Sequence, residues 1–186
     1  NHVLPTRQSA TACEVRFVTA PAGDGRAGDA LAYADEELRA DANMVLAAVK
    51  VAPQALQHAS PELLADRKFA EKAVKLDWRC LASVSKDLRA DKKLVEGALK
   101  QSADALALTP LDSDPKIALV AVKKDGLALC HCRPSAQTKD VVLAAVKQNV
   151  EALQFVADES LLRDKDVVAA AKKRGVVLEG DDDNDE

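Results

Sequence analysis

The sequence predicts an all-α fold, an α-solenoid of short helix pairs with about 25 residues per unit. Three observations support this class. One residue pattern recurs along most of the chain, and the apolar residues within each copy follow helical spacing. In addition, only 3 % of the residues are aromatic and only seven are glycine, while good helix formers such as Ala, Leu and Lys dominate.

Three columns of residues define the repeat. The lysine column ends an Ala-Val-Lys or similar triplet and comprises Lys50, Lys75, Lys100, Lys123, Lys147 and Lys173. The leucine column lies six residues after the first five of these and comprises Leu56, Leu81, Leu106, Leu129 and Leu153. The aspartate column lies nine residues before the lysines and comprises Asp41, Asp66, Asp91, Asp114 and Asp164, with Thr138 in the fifth copy. The spacing of about 25 residues fits two short helices per copy.

The first copy shows how its longer helix forms. Asp41 supplies an acceptor for free N–H groups at the start, and Lys50 places a cation at the end, where it complements the helix dipole. Val45, Ala48 and Val49 are spaced to share one face of this helix. We predict that this face is buried.

A second, shorter helix is predicted from Pro53, with Ser60 and Pro61 ending it. Its apolar stripe comprises Ala55, Leu56 and Ala59. Helices this short are marginally stable alone in water, so stability must come from stacking neighbouring pairs. We therefore predict a solenoid of about eleven helices over residues 29–178, in which the leucine column forms one continuous buried row.

Both ends of the chain depart from the repeat. Residues 1–28 are predicted to form an N-terminal arm that docks on a neighbouring protein, with packing along the first helices as the alternative. Within this segment residues 14–19 alternate polar and apolar side chains as a single strand does. Residues 179–186 carry six acidic side chains and are predicted to form a disordered tail.

Hydropathy, charge and cysteine content narrow the classes of function. The longest apolar runs are six residues, far below the roughly 20 that a membrane-spanning helix needs. Because six acids lie in the tail, the rest of the chain carries a net charge of +2, which is not the basic face that nucleic acid requires. The four cysteines, Cys13, Cys80, Cys130 and Cys132, are too few and too irregular for a disulfide framework. We therefore expect an intracellular, reducing compartment.

Two copies carry a resemblance to a known family. Residues 41–60 (DANMVLAAVKVAPQALQHAS) and 139–155 (KDVVLAAVKQNVEALQF) resemble the helical repeat catalogued as domain of unknown function 4116, and the resemblance extends over about residues 29–178. Residues 86–118 keep the lysine and leucine columns but have lost other positions. The family is abundant in protists, including algae, and occurs in some bacteria. The resemblance implies no known reaction, cofactor or catalytic residue.

The candidates for chemistry are weak. Cys130, His131 and Cys132 suggest a metal site, but residues two apart on a helix point about 200° from each other, so both thiols cannot reach one ion. By alignment to the other copies, Cys130 is expected at the surface and Cys132 in a small packing position. No glycine-rich nucleophile turn or phosphate loop is present. We therefore predict no catalytic, cofactor-binding or metal-binding residue, and we interpret the chain as not an enzyme. The lysine column has two interpretations, ordinary helix caps or a functional basic stripe, and the first is favoured.

Three residues are predicted to bind a partner protein. Trp78 lies at the turn between two helices, where nothing in the repeat requires an indole, and Val15 and Phe17 lie on the strand-like segment of the arm. For Trp78, a role as a core plug against a neighbouring loop stays open.

We interpret the chain as a non-catalytic interaction scaffold, an accessory structural subunit of a larger complex. The first residue is Asn1, not methionine, which fits a shortened chain, a fragment or a mature protein. Together with the algal members of the family, this makes an organellar, plastid photosynthetic complex the expected context. The alternatives are a repeat module of a longer enzyme and a soluble adaptor.

Overall fold

The computed structural model of the chain describes residues 29–176. Within that range the chain forms α-helices and 3₁₀ helices and no strand, which confirms the all-α prediction. The predicted arm with Val15 and Phe17, and the predicted acidic tail, lie outside the described residues.

The α-helices of the described range are α1 (Glu36–Ala40), α2 (Ala42–Val51), α3 (Pro61–Ala65), α4 (Arg67–Leu76), α5 (Lys86–Arg89), α6 (Lys92–Leu99), α7 (Pro115–Lys124), α8 (Lys139–Gln148), α9 (Glu159–Leu162) and α10 (Lys165–Lys172). The 3₁₀ helices are η1 (Asp29–Tyr33), η2 (Pro53–His58), η3 (Trp78–Ala82), η4 (Ala103–Leu108), η5 (Gly126–His131), η6 (Pro134–Ala136) and η7 (Val150–Phe155).

Aspartate side chains start most of the long helices, as the aspartate column predicts. The Asp41 carboxylate accepts from the N–H groups of Asn43 and Met44 at 2.8 and 3.1 Å. The same cap recurs at the starts of α4, α6, α7 and α10. Thr138, which departs from the column, makes no side-chain cap at the start of α8. The column therefore marks helix starts by satisfying N–H groups that have no partner within the helix.

The second element of each copy is a 3₁₀ helix, and a further short helix often follows it. The predicted short helix forms as η2 and ends at His58, just before Ser60 and Pro61, but these two residues also begin α3, which was not predicted. The Ser60 hydroxyl accepts from the N–H of Leu63 at 3.3 Å, and proline occupies the first helical position, where its missing N–H costs nothing. Each copy thus holds up to three helical elements instead of two.

The core lies on one face of each long helix. In α2 the predicted face is buried, with Val45 and Ala48 at 0 % exposure and Val49 at 1 %. Four residues of the leucine column are also fully buried: Leu56, Leu81, Leu106 and Leu129. Leu153 in η7 is only half-buried, contrary to the prediction. The reason is that η7 packs against η5 on one side, while no later 3₁₀ helix follows it within residues 29–176.

The chain divides between Leu88 and Arg89 into two compact units. In the first unit α2 packs against α4 and η2, and α4 packs against α3 and η3. In the second unit α7 packs against α6 and α8, and α8 packs against α10. The continuous leucine row over the whole array stays a prediction.

Hydrogen bonds at one register link successive copies within each unit. A backbone N–H ten residues after a column lysine donates to a main-chain carbonyl near the preceding short helix. These bonds run from Ser60 to Arg39 at 2.9 Å, from Ser85 to Leu64 at 3.0 Å, and from Arg133 to Asp112 at 2.9 Å. We call them the inter-copy bonds.

Two further copies make the inter-copy bond with a side chain. Pro110 occupies the donor position after Lys100 and has no N–H, so the Thr109 hydroxyl donates to the Arg89 carbonyl at 2.7 Å. In the next case the Ala157 N–H donates to the side-chain carbonyl of Gln137 at 2.8 Å. A side chain thus supplies the donor in the first of these links and the acceptor in the second.

Candidate functional site

An open groove lies between α2 and α4 in the first unit, with a volume of about 600 Å³. Its lining residues are Asn43, Leu46, Ala47, Lys50, Lys72, Lys75 and Leu76. We call this the α2–α4 groove. It contains an apolar floor and three ammonium groups, and none of its lining residues is acidic.

Helical spacing explains why these side chains meet. Leu46 and Ala47 precede Lys50 by one turn, so they share a face of α2 that lies beside its buried face. Lys72 precedes Lys75 by one turn on α4, and the two cations therefore lie on one side of that helix. The groove is thus formed by the faces that flank the core.

The three lysines of the groove carry no partner of opposite charge among the described residues. None of them forms an ion pair with another residue of the range 29–176. Lys50 and Lys75 also stand at the C-terminal ends of α2 and α4, where helix carbonyls favour a cation. The groove is therefore a local site of positive charge with aliphatic side chains beside it.

Exposed apolar residues follow the column lysines in this unit. Val51 is 47 % exposed and Leu76 is 43 % exposed, and Leu76 lines the groove. In the second unit the corresponding positions are polar. There Lys124 donates to the Lys100 carbonyl at 2.7 Å, and the Arg174 guanidinium donates to the carbonyl of Lys147. The contrast is visible in the sequence one residue after each column lysine, although we did not predict an exposed surface from it.

Trp78 lies two residues after Leu76, at the first position of η3, and is half-buried. Its two neighbours in the chain form an ion pair, in which the Arg79 guanidinium contacts the Asp77 carboxylate at 2.7 Å. This hydrogen bond lowers the pKa of Asp77. Asp77 also accepts the Arg79 N–H at 2.8 Å and so caps η3. The predicted partner residue thus sits in a well-defined turn beside the exposed Leu76.

A second groove, of about 460 Å³, lies at the same register between α8 and α10 in the second unit. Its Leu143, Lys147 and Lys173 correspond in the repeat to Leu46, Lys50 and Lys75. We call it the α8–α10 groove. Its charge differs, because it is also lined by Asp166, which pairs with a lysine of α8 at 2.6 Å.

The segment with Cys130, His131 and Cys132 has the arrangement expected from the repeat. Cys130 is exposed, while Cys132 is buried and is 6 % exposed. Burial raises the pKa of the Cys132 thiol to about 12, and the same cause raises that of Cys80 to about 12. These two thiols are therefore protonated at neutral pH and are poor nucleophiles. Within the described range no three His, Cys, Asp or Glu side chains are grouped as a metal site requires.

The lysine column is exposed in all six copies. Its C-terminal placement fits the favoured interpretation as helix caps, as the last turns of α2, α4, α7 and α8 show. Two of these lysines, Lys50 and Lys75, also line the α2–α4 groove.

Comparisons with known proteins support the resemblance drawn from the repeat. Residues 26–64 and 66–112 match the family described as "Domain of unknown function (DUF4116)". The two adjacent matches fit a repeated domain and confirm the resemblance over residues 26–112. No curated protein and no solved structure matches the chain. No helix among residues 29–176 is both long enough and apolar enough to cross a membrane.

Proposed function

We propose that this chain is a non-catalytic protein-binding repeat, an accessory structural subunit that holds a partner protein in a larger assembly. The observation that carries the proposal is the surface at the ends of α2 and α4. There the α2–α4 groove, the exposed Leu76 and the half-buried Trp78 follow one another along the chain. Concave surfaces of stacked helices bind proteins through extended contacts.

Trp78 is proposed as the anchor of this surface. A tryptophan combines a large apolar area with an N–H donor, and such side chains dominate the binding energy of many interfaces. The Asp77 carboxylate caps the 3₁₀ helix that begins with Trp78 by accepting the Arg79 N–H at 2.8 Å. Val15 and Phe17 of the N-terminal arm are proposed as further contacts, on the sequence pattern alone.

The finer context rests on the resemblance. The algal and protist members of the family favour an organelle, and a plastid photosynthetic complex is the assembly we propose. A soluble adaptor or a repeat module of a longer enzyme are the alternatives. The full transcript separates them, since an upstream catalytic domain supports the enzyme module and a transit peptide supports the plastid subunit.

The experiment is affinity capture from the native source, followed by binding measurements with the purified partner. Trp78→Ala is expected to weaken binding by roughly 2 kcal/mol or more, as for a hot-spot residue, while the circular dichroism of the helices stays unchanged. Tyr33→Ala is the matched control, because Tyr33 is an aromatic residue of the same unit with 89 % exposure. Equal binding by wild type and Trp78→Ala would remove Trp78 from the interface. A chain that binds no protein stoichiometrically would contradict the proposed function.

A further inference from the structure

We infer that the α2–α4 groove binds an acidic protein segment that carries aliphatic side chains between its carboxylates. This inference rests on the proposed function and names the class of partner that the surface takes. The occupant is defined by two complementary features of the groove, its charge and its floor.

The positive charge of the groove favours a partner segment that carries carboxylates. Lys50, Lys72 and Lys75 lie on its rim, and none of them pairs with an acidic residue in the described part of the chain. Asp and Glu side chains of a partner reach such ammonium groups as charge-assisted hydrogen bonds, which are stronger than neutral ones. The three cations therefore favour a segment with several acids.

The apolar part of the groove, formed by Leu46, Ala47 and Leu76, favours aliphatic side chains in the partner segment. Leu46 and Ala47 are half-buried, and Leu76 is 43 % exposed. Covering such a surface removes apolar area from water, which stabilises the complex. A purely acidic polymer would leave this area uncovered, so the segment must mix acids with residues such as leucine.

The same features argue against nucleic acid as the occupant. Three lysines on one groove are a local cluster, and the chain without its last eight residues carries a net charge of only +2. Nucleic-acid binding depends on many phosphate contacts and on a broad basic face. In addition, phosphates and sugars supply no aliphatic side chain for the floor.

The α8–α10 groove provides an internal comparison. Lys147 and Lys173 hold the same repeat positions as Lys50 and Lys75, at the ends of helices of the same kind. In this groove, however, Arg174 replaces Leu76, so a third cation takes the place of the second leucine, and Asp166 adds a carboxylate. Because the acidic segment also needs an aliphatic surface, we assign it to the α2–α4 groove and not to the α8–α10 groove.

The test measures fluorescence anisotropy of a labelled synthetic peptide that repeats Glu-Glu-Leu, with the full chain as the binding protein. Lys50→Glu with Lys75→Glu is the test variant. Lys147→Glu with Lys173→Glu is the matched control, since it changes the net charge by the same amount at the same repeat positions. We expect the test variant to weaken binding by about tenfold or more and the control to stay within about twofold. Added salt should weaken binding to the wild type, because salt screens exposed charges.

Three further measurements keep the result unambiguous. A peptide with Gln in place of Glu should bind far more weakly, and so should a single-stranded oligonucleotide of equal charge. If the test variant loses its circular dichroism signal, Lys50→Gln with Lys75→Gln replaces it, with an expected loss of about threefold or more. Equal binding of the Gln peptide, preference for the oligonucleotide, or equal loss in test and control variants would overturn the inference.

The outcome is separable from that of the proposed function. A captured partner whose binding falls with Trp78→Ala but not with Lys50→Glu and Lys75→Glu would keep the proposed function and reject the acidic segment. Binding of the Glu-Glu-Leu peptide by a chain that captures no protein would reject the proposed function alone.

Discussion

The inter-copy bond at Thr109 is a sharp test of how successive copies are held together. Thr109→Val keeps the shape of the side chain and removes its hydroxyl. That hydroxyl donates to the Arg89 carbonyl at 2.7 Å and accepts from the Leu111 N–H at 3.1 Å, and Thr109 is only 7 % exposed. Because two hydrogen bonds are lost in a buried position, at about 0.5–1.5 kcal/mol each, we expect the free energy of unfolding to fall by about 2 kcal/mol.

Urea denaturation followed by circular dichroism measures this loss. In a chain of this size it corresponds to a decrease in Tm of about 4–8 °C. Thr138→Val is the control, since Thr138 is exposed and its side chain caps no helix, so the change should stay within about 0.5 kcal/mol. If Thr109→Val costs no more than Thr138→Val, the hydroxyl does not carry the link and the inter-copy bonds do not contribute to stability as argued.

Four further predictions concern packing, thiol accessibility and ionisation. Gly126→Ala should lower the free energy of unfolding by about 1–3 kcal/mol, because the added β-carbon would lie 2.5 Å from a main-chain oxygen of α8. Gly97→Ala in α6 should raise it by about 0.5–1 kcal/mol, since no atom lies within 4 Å of the added β-carbon. Equal stabilities of the two variants in urea denaturation would contradict this. Leu106→Ala should cost about 2–5 kcal/mol, and a loss below about 1 kcal/mol would show that its 0 % exposure does not reflect tight packing. A thiol reagent should label Cys130 quickly and Cys132 only on unfolding. The pKa of Cys132 is about 12 in the folded chain, against an ordinary value of 9.0. The contribution of Cys132 to the free energy of unfolding should therefore be complete below pH 9 and decline from pH 9 toward pH 12. A free energy of unfolding that does not change between pH 9 and pH 12 would refute this prediction.

The helix starts could be predicted from the sequence because their cause is local. The aspartate at a cap and the N–H groups that it satisfies lie within a few residues, so Asp41 and its counterparts mark helix starts without knowledge of the fold. The role of Pro61 could not be decided in this way, since proline both ends one helix and begins the next. The type of the second helix was likewise beyond the sequence, because five or six residues are too few to distinguish 3₁₀ from α periodicity.

Features that depend on neighbouring copies were harder to predict. Leu153 shares its column with four buried leucines, yet its exposure depends on whether another 3₁₀ helix covers it. The α2–α4 groove depends on how two helices pack, which the repeat pattern does not specify. The change from Val51 and Leu76 to polar residues in later copies was the one local signal of an exposed surface.

The inter-copy bonds bear on how such an array grows. In three cases both partners are main-chain groups, so a duplicated copy can form the inter-copy bond even after its side chains have changed. A proline at the donor position removes the N–H that makes this bond, and the hydroxyl of the preceding Thr109 donates in its place. In related arrays we therefore expect proline at this position to be preceded by threonine or serine, as a compensated pair.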